Sequence, residues 1–314
     1  MNYAELAIML IQASALVMIS PLIAGIIGKF KALMQNRVGA SIFQPYRDLR
    51  KLIKKESVVS ENASFLFRAI PLICITSMLL LAAMTPFIYT GVLAPYADVI
   101  AMVYIFTMFR FAMVLGGLEG GSAFGGMGSS REAMMSVLIE PALLLSIMTL
   151  SAITGAGFDI TDISSSIIGA GAFAISPALL LAGTSFVITM VAENTRVPFD
   201  NPDTHLELTM IHEGMLMEYS GRGLAMMEMA SMLRLTIFMA LLGTLFFPWG
   251  TAVTMAPLDL AVSVVVIIAK MLVIAFGIAL LESTIAKMRV FRMPNMLTVS
   301  FALSLMAMIS LYVL

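Results

Sequence analysis

The hydrophobic positions of this chain fall into long runs separated by polar segments. Each run is roughly 20 residues long, enough for a helix to cross about 30 Å of hydrocarbon. The pattern predicts eight transmembrane helices, at about 4–28, 68–92, 97–118, 133–155, 175–192, 229–248, 257–282 and 294–313. The first run begins at Glu5 and has no signal-peptide flanks, so we expect a retained helix. We therefore expect an all-α polytopic membrane protein, with residues 1–314 forming a single integral membrane domain.

The composition supports this class, because 60% of the residues are hydrophobic and only 12% are charged. Fifteen of the 18 lysines and arginines lie in segments that would share one side of the membrane. Cytoplasmic loops retain such residues, so both termini are expected on the non-cytoplasmic side. The cytoplasmic segments would be about 29–67, 119–132, 193–228 and 283–293.

Several kinds of chemistry are excluded or disfavoured by the residue types. Cys74 is the single cysteine, so the chain has no internal disulfide and no thiolate set for an iron–sulfur cluster. His205 and His212 are seven residues apart, which does not favour a metal-binding pair. The 29 methionines scatter through every apolar run, as packing residues do. We expect no cofactor and no metal in this chain, so a redox centre would belong to another subunit.

Residues 44–55 follow the first run and form part of a basic segment. Tyr46, Leu49 and Ile53 recur there at helical spacing beneath a basic face. This pattern predicts an amphipathic helix lying in the membrane interface. Its basic residues would meet anionic lipid and fix the orientation, or they would help a peripheral subunit to dock.

The segment 193–228 holds nine charged residues and both histidines in 36 positions. Prolines break its start, and the capping-box pattern at 204–207 predicts a new helix of about fifteen residues that ends near Gly221. Glu207 and Glu218, eleven residues apart, would share one face of it, whereas Glu213 would point elsewhere. Its other positions are mostly apolar, which favours burial over a solvated acidic helix. Buried carboxylates share protons, so the segment is a candidate for proton or ion handling.

Other charged residues allow two interpretations each. Arg196 and Asp200 flank a proline turn, where they would pair to fix it or would act in function. Arg110 and Lys270 lie inside apolar runs, so each would face the bundle interior as a relay member or would snorkel or form a simple ion pair. Glu228 and Glu282 are expected to mark helix ends.

Three motifs carry a family resemblance. The stretch 193–200, Glu-Asn-Thr-Arg-Val-Pro-Phe-Asp, is followed by Glu-Tyr-Ser-Gly at 218–221. Together with 37–56 and 128–141, these stretches resemble the membrane-anchor subunit shared by respiratory complex I and the energy-converting [NiFe] hydrogenases. His205 stands where quinone-reducing members usually have a carboxylate, and 204–217 resembles the form found in formate hydrogenlyase, hydrogenase-four and membrane-bound hydrogenases.

The resemblance implies a subunit of an ion-translocating complex in the cytoplasmic (inner) membrane of a prokaryote. Expected partners are the large and small (iron–sulfur) subunits of a peripheral [NiFe] hydrogenase, antiporter-like membrane subunits and the lipid bilayer, with no nucleic acid. The iron–sulfur clusters and the NiFe centre would lie in the partners, and electrons would not pass through this chain. The expected proton or ion relay comprises Glu193, Glu207, Glu213, Glu218, Glu132, Glu140, Arg110 and Lys270. The residues expected at the interface with the redox module are Arg37, Arg196, Asp200, Asp203, His205, His212 and Tyr219.

Two alternatives remain open at this point. The first is a quinone-site subunit of a complex I-like oxidoreductase. The second is an independent secondary carrier, which would commonly show two repeated halves. The charged segment 193–228 has no counterpart of like sign in the first half of the chain, which disfavours a carrier.

Overall fold

The computed structural model describes residues 3–59, 63–89, 98–170, 176–200, 210–252 and 256–313. The regular elements of this part of the chain are helices. They are α1 (Tyr3–Met34), α2 (Gln44–Lys54), α3 (Phe65–Met84), α4 (Val99–Glu119), α5 (Ala123–Thr154), α6 (Ile160–Ala170), α7 (Pro177–Glu193), α8 (His212–Leu216), α9 (Gly221–Leu241), α10 (Pro257–Thr284) and α11 (Met293–Val313). A π-helical turn, Leu242–Phe246, continues α9, and a short 3₁₀ turn, Val290–Arg292, precedes α11.

Each of the eight predicted apolar runs contains a helix, so the polytopic all-α architecture is confirmed. Within the described ranges, seven helices are long and apolar enough to cross a membrane. The helix in the remaining run, α7, has 17 residues and is shorter than these seven. A total of eight crossings therefore stays a prediction, as does the orientation of the termini. The segment 156–174, expected to be a loop, contains α6.

Several helices begin where the sequence supplies a capping side chain. Ser64, Asp98, Ser122 and Ser176 each accept a hydrogen bond from a backbone N–H in the first turn of the following helix. Such caps satisfy amide groups that have no partner within the helix. They therefore fix where α3, α4, α5 and α7 start. The start of each helix in turn sets where its charged residues lie along the bundle axis.

The helices pack as one bundle around α5 and α9. α5 packs against α4, α7 and α11, while α9 packs against α1 and α3. The span that α9 forms with its π-helical turn is the most deeply buried of the seven. α10 packs mainly against α1 and leaves much of its surface exposed. This arrangement brings the charged positions of α4, α5 and α7 together inside the bundle.

The predicted amphipathic helix is present as α2, and none of its residues is buried. It packs against α9 and α1, and the Tyr46 hydroxyl donates a hydrogen bond to the Met18 carbonyl of α1. Its basic residues Arg47, Arg50 and Lys51 are exposed. Its location in the membrane interface stays a prediction.

The predicted fifteen-residue acidic helix is wrong. Residues 201–209, which include Asp203, His205 and Glu207, lie outside the described part of the chain. In the part that follows, Met210 and Ile211 are not helical, and α8 covers only His212–Leu216. Within the described residues, the helix that would carry Glu218 on the face predicted for Glu207 is therefore not continuous through 210–218. Close contact with α5 outweighs the helix propensity of this segment. The Ile211 carbonyl packs directly against Gly128 of α5, so closely that a Cβ on Gly128 would lie 2.7 Å from it.

Gly221 begins α9 rather than ending a helix before it. Its φ of 52° lies in the left-handed region, which glycine adopts without strain. A Cβ at this position would lie 2.6 Å from the carbonyl oxygen of Glu56. The glycine is required by the close approach of the segment that leads from α2 to α3.

Candidate functional site

Arg110 of α4 lies among three carboxylates inside the bundle. Its Nε is 3.3 Å from Oε1 of Glu132, and its Nη1 is 3.2 Å from Oε1 of Glu140, both on α5. Its Nη2 contacts Oε2 of Glu193, the last residue of α7. The side chains of Arg110, Glu132 and Glu193 are 2–3% exposed, whereas that of Glu140 is 34% exposed. We call these four residues the Arg110 cluster.

The helix geometry explains why the cluster forms. Glu132 and Glu140 are eight residues apart, about 80° around α5, so one guanidinium on α4 reaches both. The C-terminal end of α7 then supplies Glu193 from a third helix. Three of the six predicted relay carboxylates are thus brought to one cation.

The charge of the cluster is not balanced by Arg110 alone. Arg234 of α9 is buried, stacks over the ring of Phe109 at 4.9 Å and interacts electrostatically with Glu132. The three carboxylates of the cluster therefore have two guanidinium groups near them, which leaves one acidic group in excess. Such an excess at low dielectric favours the uptake of a proton or another cation. Oε2 of Glu132 is buried and has no hydrogen-bond partner within the described chain, so it has an acceptor site available.

A second charged group joins α1, α10 and the segment after α7. Glu282 of α10 lies 2.9 Å from Nη1 of Arg196 and 3.4 Å from Nζ of Lys31 on α1. Asp200 lies 2.5 Å from Nζ of Lys287 and accepts a hydrogen bond from the amide of Ile211 at 3.0 Å. One of the two interpretations of Arg196 and Asp200, a side-chain pair between them, is therefore wrong, and their functional role stays a prediction.

The physical reason is the position of α10. Its C-terminal end and the segment after it lie beside the turn that carries Arg196 and Asp200. Glu282 is therefore available to Arg196, and Lys287 is available to Asp200. Sequence reasoning missed these partners, because it treated Glu282 as a helix end and the lysines only as orientation signals. The available signal was an acidic residue near the end of a very apolar helix, a position that usually has a partner.

α8 and its neighbours contribute groups with altered ionisation. Burial, with the charge of Arg234 as a smaller cause, lowers the pKa of His212 to about 3, so the imidazole is neutral at physiological pH. Its Nε2 lies 2.9 Å from the Ser231 hydroxyl. Burial raises the pKa of Glu213 to about 7, and the charges of Glu228 and Asp200 add to the effect. Glu213 is thus poised to change its charge near neutral pH.

Tyr219, which lies between α8 and α9, is at the edge of a cleft. Its ring stacks on Phe67 with centroids 4.1 Å apart, and burial raises the pKa of its hydroxyl. The cleft has a volume of about 310 Å³ and runs between residues 57–59, the start of α3 and the start of α9, where Arg68 and Arg222 line it.

The remaining predicted site residues do not join the Arg110 cluster. Glu218 is exposed and lies against Gly120, and Arg37 is exposed in the segment after α1. Lys270 donates a hydrogen bond to the Gly243 carbonyl at 3.1 Å and contacts none of the four cluster residues. The predictions for Glu207, Asp203 and His205 fall outside the described residues. The structure therefore assembles one part of the expected relay, and the functional roles of all these residues stay predictions.

Comparison with known proteins gives a consistent result. The family model described as NADH dehydrogenase matches residues 6–312. Hydrogenase-4 component C of Escherichia coli (strain K12) is 35% identical over 301 residues, which are 95% of this chain and 93% of that protein. Formate hydrogenlyase subunit 4 of the same organism is 32% identical over 303 residues, with 96% and 97% covered. NADH-quinone oxidoreductase subunit 8 of Rhodothermus marinus is 30% identical over 251 residues, 76% and 70% of the two chains.

A solved structure has the same fold. A chain of the membrane-bound sulfane sulfur reductase, an archaeal respiratory membrane complex, matches with a TM-score of 0.81 over 98% of this chain and 99% of that chain, at 19% identity. The resemblance read from the three motifs is thus confirmed by sequence relatives and by the fold. This chain is an integral membrane protein that belongs to the NADH dehydrogenase family.

Proposed function

We propose that this chain is the membrane-anchor and coupling subunit of a multisubunit, redox-driven, ion-translocating complex of the membrane-bound [NiFe] hydrogenase or formate hydrogenlyase type. In this role it docks a peripheral iron–sulfur module on its cytoplasmic segments and passes protonation changes to antiporter-like subunits in the membrane. The names of the two Escherichia coli relatives support the hydrogenase assignment. The iron–sulfur clusters and the NiFe centre belong to the partner subunits.

The Arg110 cluster is the observation that carries the coupling role. An arginine in a transmembrane helix, enclosed by carboxylates from two other helices, is costly and is characteristic of ion pathways. Its excess carboxylate gives it a change of charge that a redox event at the cytoplasmic surface can drive. Glu193 links the cluster directly to the motif at 193–200, which leads into the proposed docking segment.

The direct test is Glu193→Gln in the intact complex. Ion movement into inverted membrane vesicles and hydrogen turnover are measured in the same preparation. We expect the subunits to remain assembled and hydrogen turnover to persist, while ion movement per hydrogen falls at least about a hundredfold, the lower end of what one positioned proton-transfer group contributes. Unchanged ion movement would reject the relay.

Asp162→Asn is the matched control, because Asp162 is an exposed carboxylate on α6 outside the cluster. This variant should keep both activities. The variants Glu207→Gln and Glu218→Gln, proposed from the sequence as relay members, belong in the same series. A loss of coupling in them but not in Glu193→Gln would place the relay outside the Arg110 cluster.

A quinone-site subunit is the second candidate function. The cleft beside Tyr219 favours it, since the stacked rings of Tyr219 and Phe67 line a cavity of about 310 Å³. The subunit composition of the gently solubilised complex separates the two functions. A copurifying nickel–iron subunit supports the hydrogenase type, whereas quinone-dependent activity without nickel supports the second candidate.

A further inference from the structure

Lys270 lies at the midpoint of α10, thirteen residues after Pro257 and fourteen before Thr284. At 1.5 Å per residue, this places it about 20 Å along the helix from either end. Its side chain is half-buried, and its ammonium group donates to the Gly243 carbonyl in the π-helical turn at 3.1 Å. An ammonium group carries three donors, so this bond leaves capacity for further partners.

No carboxylate of the described chain lies within 4.0 Å of the Lys270 ammonium group. The acidic residues of α10, Asp259 and Glu282, are eleven and twelve residues away, about 17 and 18 Å along the axis. Glu282 is already engaged by Arg196 and Lys31. A carbonyl dipole orients an ammonium group but does not neutralise it. An ionised side chain at this depth therefore calls for an opposite charge from elsewhere.

The surface around Lys270 is open to another helix. Val273, one turn away, is 71% exposed. Gly277 lies seven residues from Lys270, which places both on the same side of α10. A Cβ on Gly277 would meet nothing within 4 Å. Small residues of this kind allow close packing between membrane helices, which then form hydrogen bonds and ion pairs across the contact.

We propose that Lys270 forms an ion pair with an Asp or Glu carboxylate on a membrane helix of a neighbouring subunit, which packs against α10 beside Gly277. Charge complementarity selects this occupant over lipid. Phospholipid head groups lie at the surfaces of a hydrocarbon layer about 30 Å thick, whereas Lys270 is at the centre of its helix and its ammonium group is turned to the Gly243 carbonyl. The proposal stands independently of whether the complex contains a hydrogenase.

The test is zero-length crosslinking with a membrane-permeable carbodiimide in the intact purified complex. This reagent joins an amine to a carboxylate only when the two are in direct contact. We expect mass spectrometry to identify an amide bond between Lys270 and an Asp or Glu in an apolar segment of another subunit. The Lys270→Arg variant is the matched control, because it keeps the charge but has no amine to couple, and it should lose that crosslink alone.

A charge exchange then tests whether the contact holds the subunits together. Lys270→Glu should lower the amount of that partner retained after detergent extraction at least about tenfold, and replacement of the identified carboxylate by lysine should restore it. The absence of the Lys270 crosslink in the wild-type complex would overturn the proposal. Modification of Lys270 by a lipid-soluble amine reagent in the intact complex would also overturn it, because it would show that the residue faces lipid.

Discussion

The carboxylate of Asp200 lies 2.5 Å from the ammonium group of Lys287, so the turn after α7 is held against the segment after α10. The same carboxylate accepts the amide of Ile211 at the start of α8. One buried side chain thus fixes the relative positions of three segments, of which the one after α10 is remote in sequence. Because Glu193 of the Arg110 cluster lies seven residues before Asp200, this contact also helps to position the proposed relay.

Lys287→Met is expected to destabilise the chain by about 3 kcal/mol, because breaking a largely buried ion pair leaves a carboxylate without its lysine. The side chains of Lys287 and Asp200 are 19% and 5% exposed, so solvent replaces the lost charge poorly. The loss is measured as a lower thermal unfolding midpoint of the detergent-solubilised chain. Labelling of the single cysteine, the buried Cys74, with a thiol reagent reports unfolding.

Lys51→Met is the control for that prediction. Lys51 pairs with Asp48 on α2 at 3.7 Å, but both side chains are at least half exposed. Exposed ion pairs contribute little to stability, so Lys51→Met should change the free energy of unfolding by less than about 0.5 kcal/mol. Equal effects of the two substitutions would show that the Lys287 pair is no better shielded than a surface pair.

Glu213 makes stability depend on pH with a defined sign. Burial, followed by the charges of Glu228 and Asp200, raises its pKa from 4.5 to about 7. The folded chain therefore holds this proton more tightly than the unfolded chain does. The contribution to stability is complete below pH 4.5 and is lost as the pH rises through about 7.

The measurement compares thermal unfolding of the wild-type chain and Glu213→Gln between pH 5 and pH 8. Glutamine resembles the protonated form and does not titrate. Relative to this variant, the wild-type chain should lose roughly 3 kcal/mol across the range. Groups that do not interact with Glu213 titrate alike in both proteins, so their contribution cancels in the difference. A difference that stays constant with pH would mean that Glu213 is ionised throughout.

Gly221→Ala is expected to destabilise the chain by about 2 kcal/mol, the usual cost of a side chain in the left-handed region. The glycine has φ = 52°, and an added Cβ would lie 2.6 Å from the Glu56 carbonyl oxygen. Gly126→Ala on α5 is the matched substitution, since a Cβ there meets nothing within 4 Å. That variant should be as stable as the wild type or more stable by about 0.5–1 kcal/mol, because alanine favours helix. The same Cys74 labelling assay compares the two.

The sequence predicted well those features that depend on local composition. Apolar runs of membrane-spanning length located every long helix, because lipid requires backbone groups to bond within their own segment. The pattern of Tyr46, Leu49 and Ile53 located α2. Arg110 was singled out because a charge in an apolar run is costly wherever the helix sits, whereas Glu132, Glu140 and Glu193 were named from the family resemblance. The three motifs identified the family without any structure.

The sequence could not predict which charged residues pair with each other. Arg196 and Asp200 are four residues apart, yet each pairs with a residue more than eighty positions away. The capping-box pattern at 204–207 predicted a helix through Met210 and Ile211, which are held in a non-helical segment by Asp200 and by contact with α5. Local rules fail there because long-range contacts contribute more free energy than the weak preferences of single residues.

The sequence by itself determined that this is a helical membrane protein and which charged residues lie inside its apolar runs, since these follow from composition and the length of each run. Its three motifs, and not its composition, indicated the family. Only the tertiary structure decided which charges meet. It placed Arg110 among three carboxylates, joined Glu282 to Arg196 and Lys31, and left Lys270 beside a carbonyl on an open helix face. The reason is that an ion pair depends on distance and burial, and the packing of helices remote in sequence sets both.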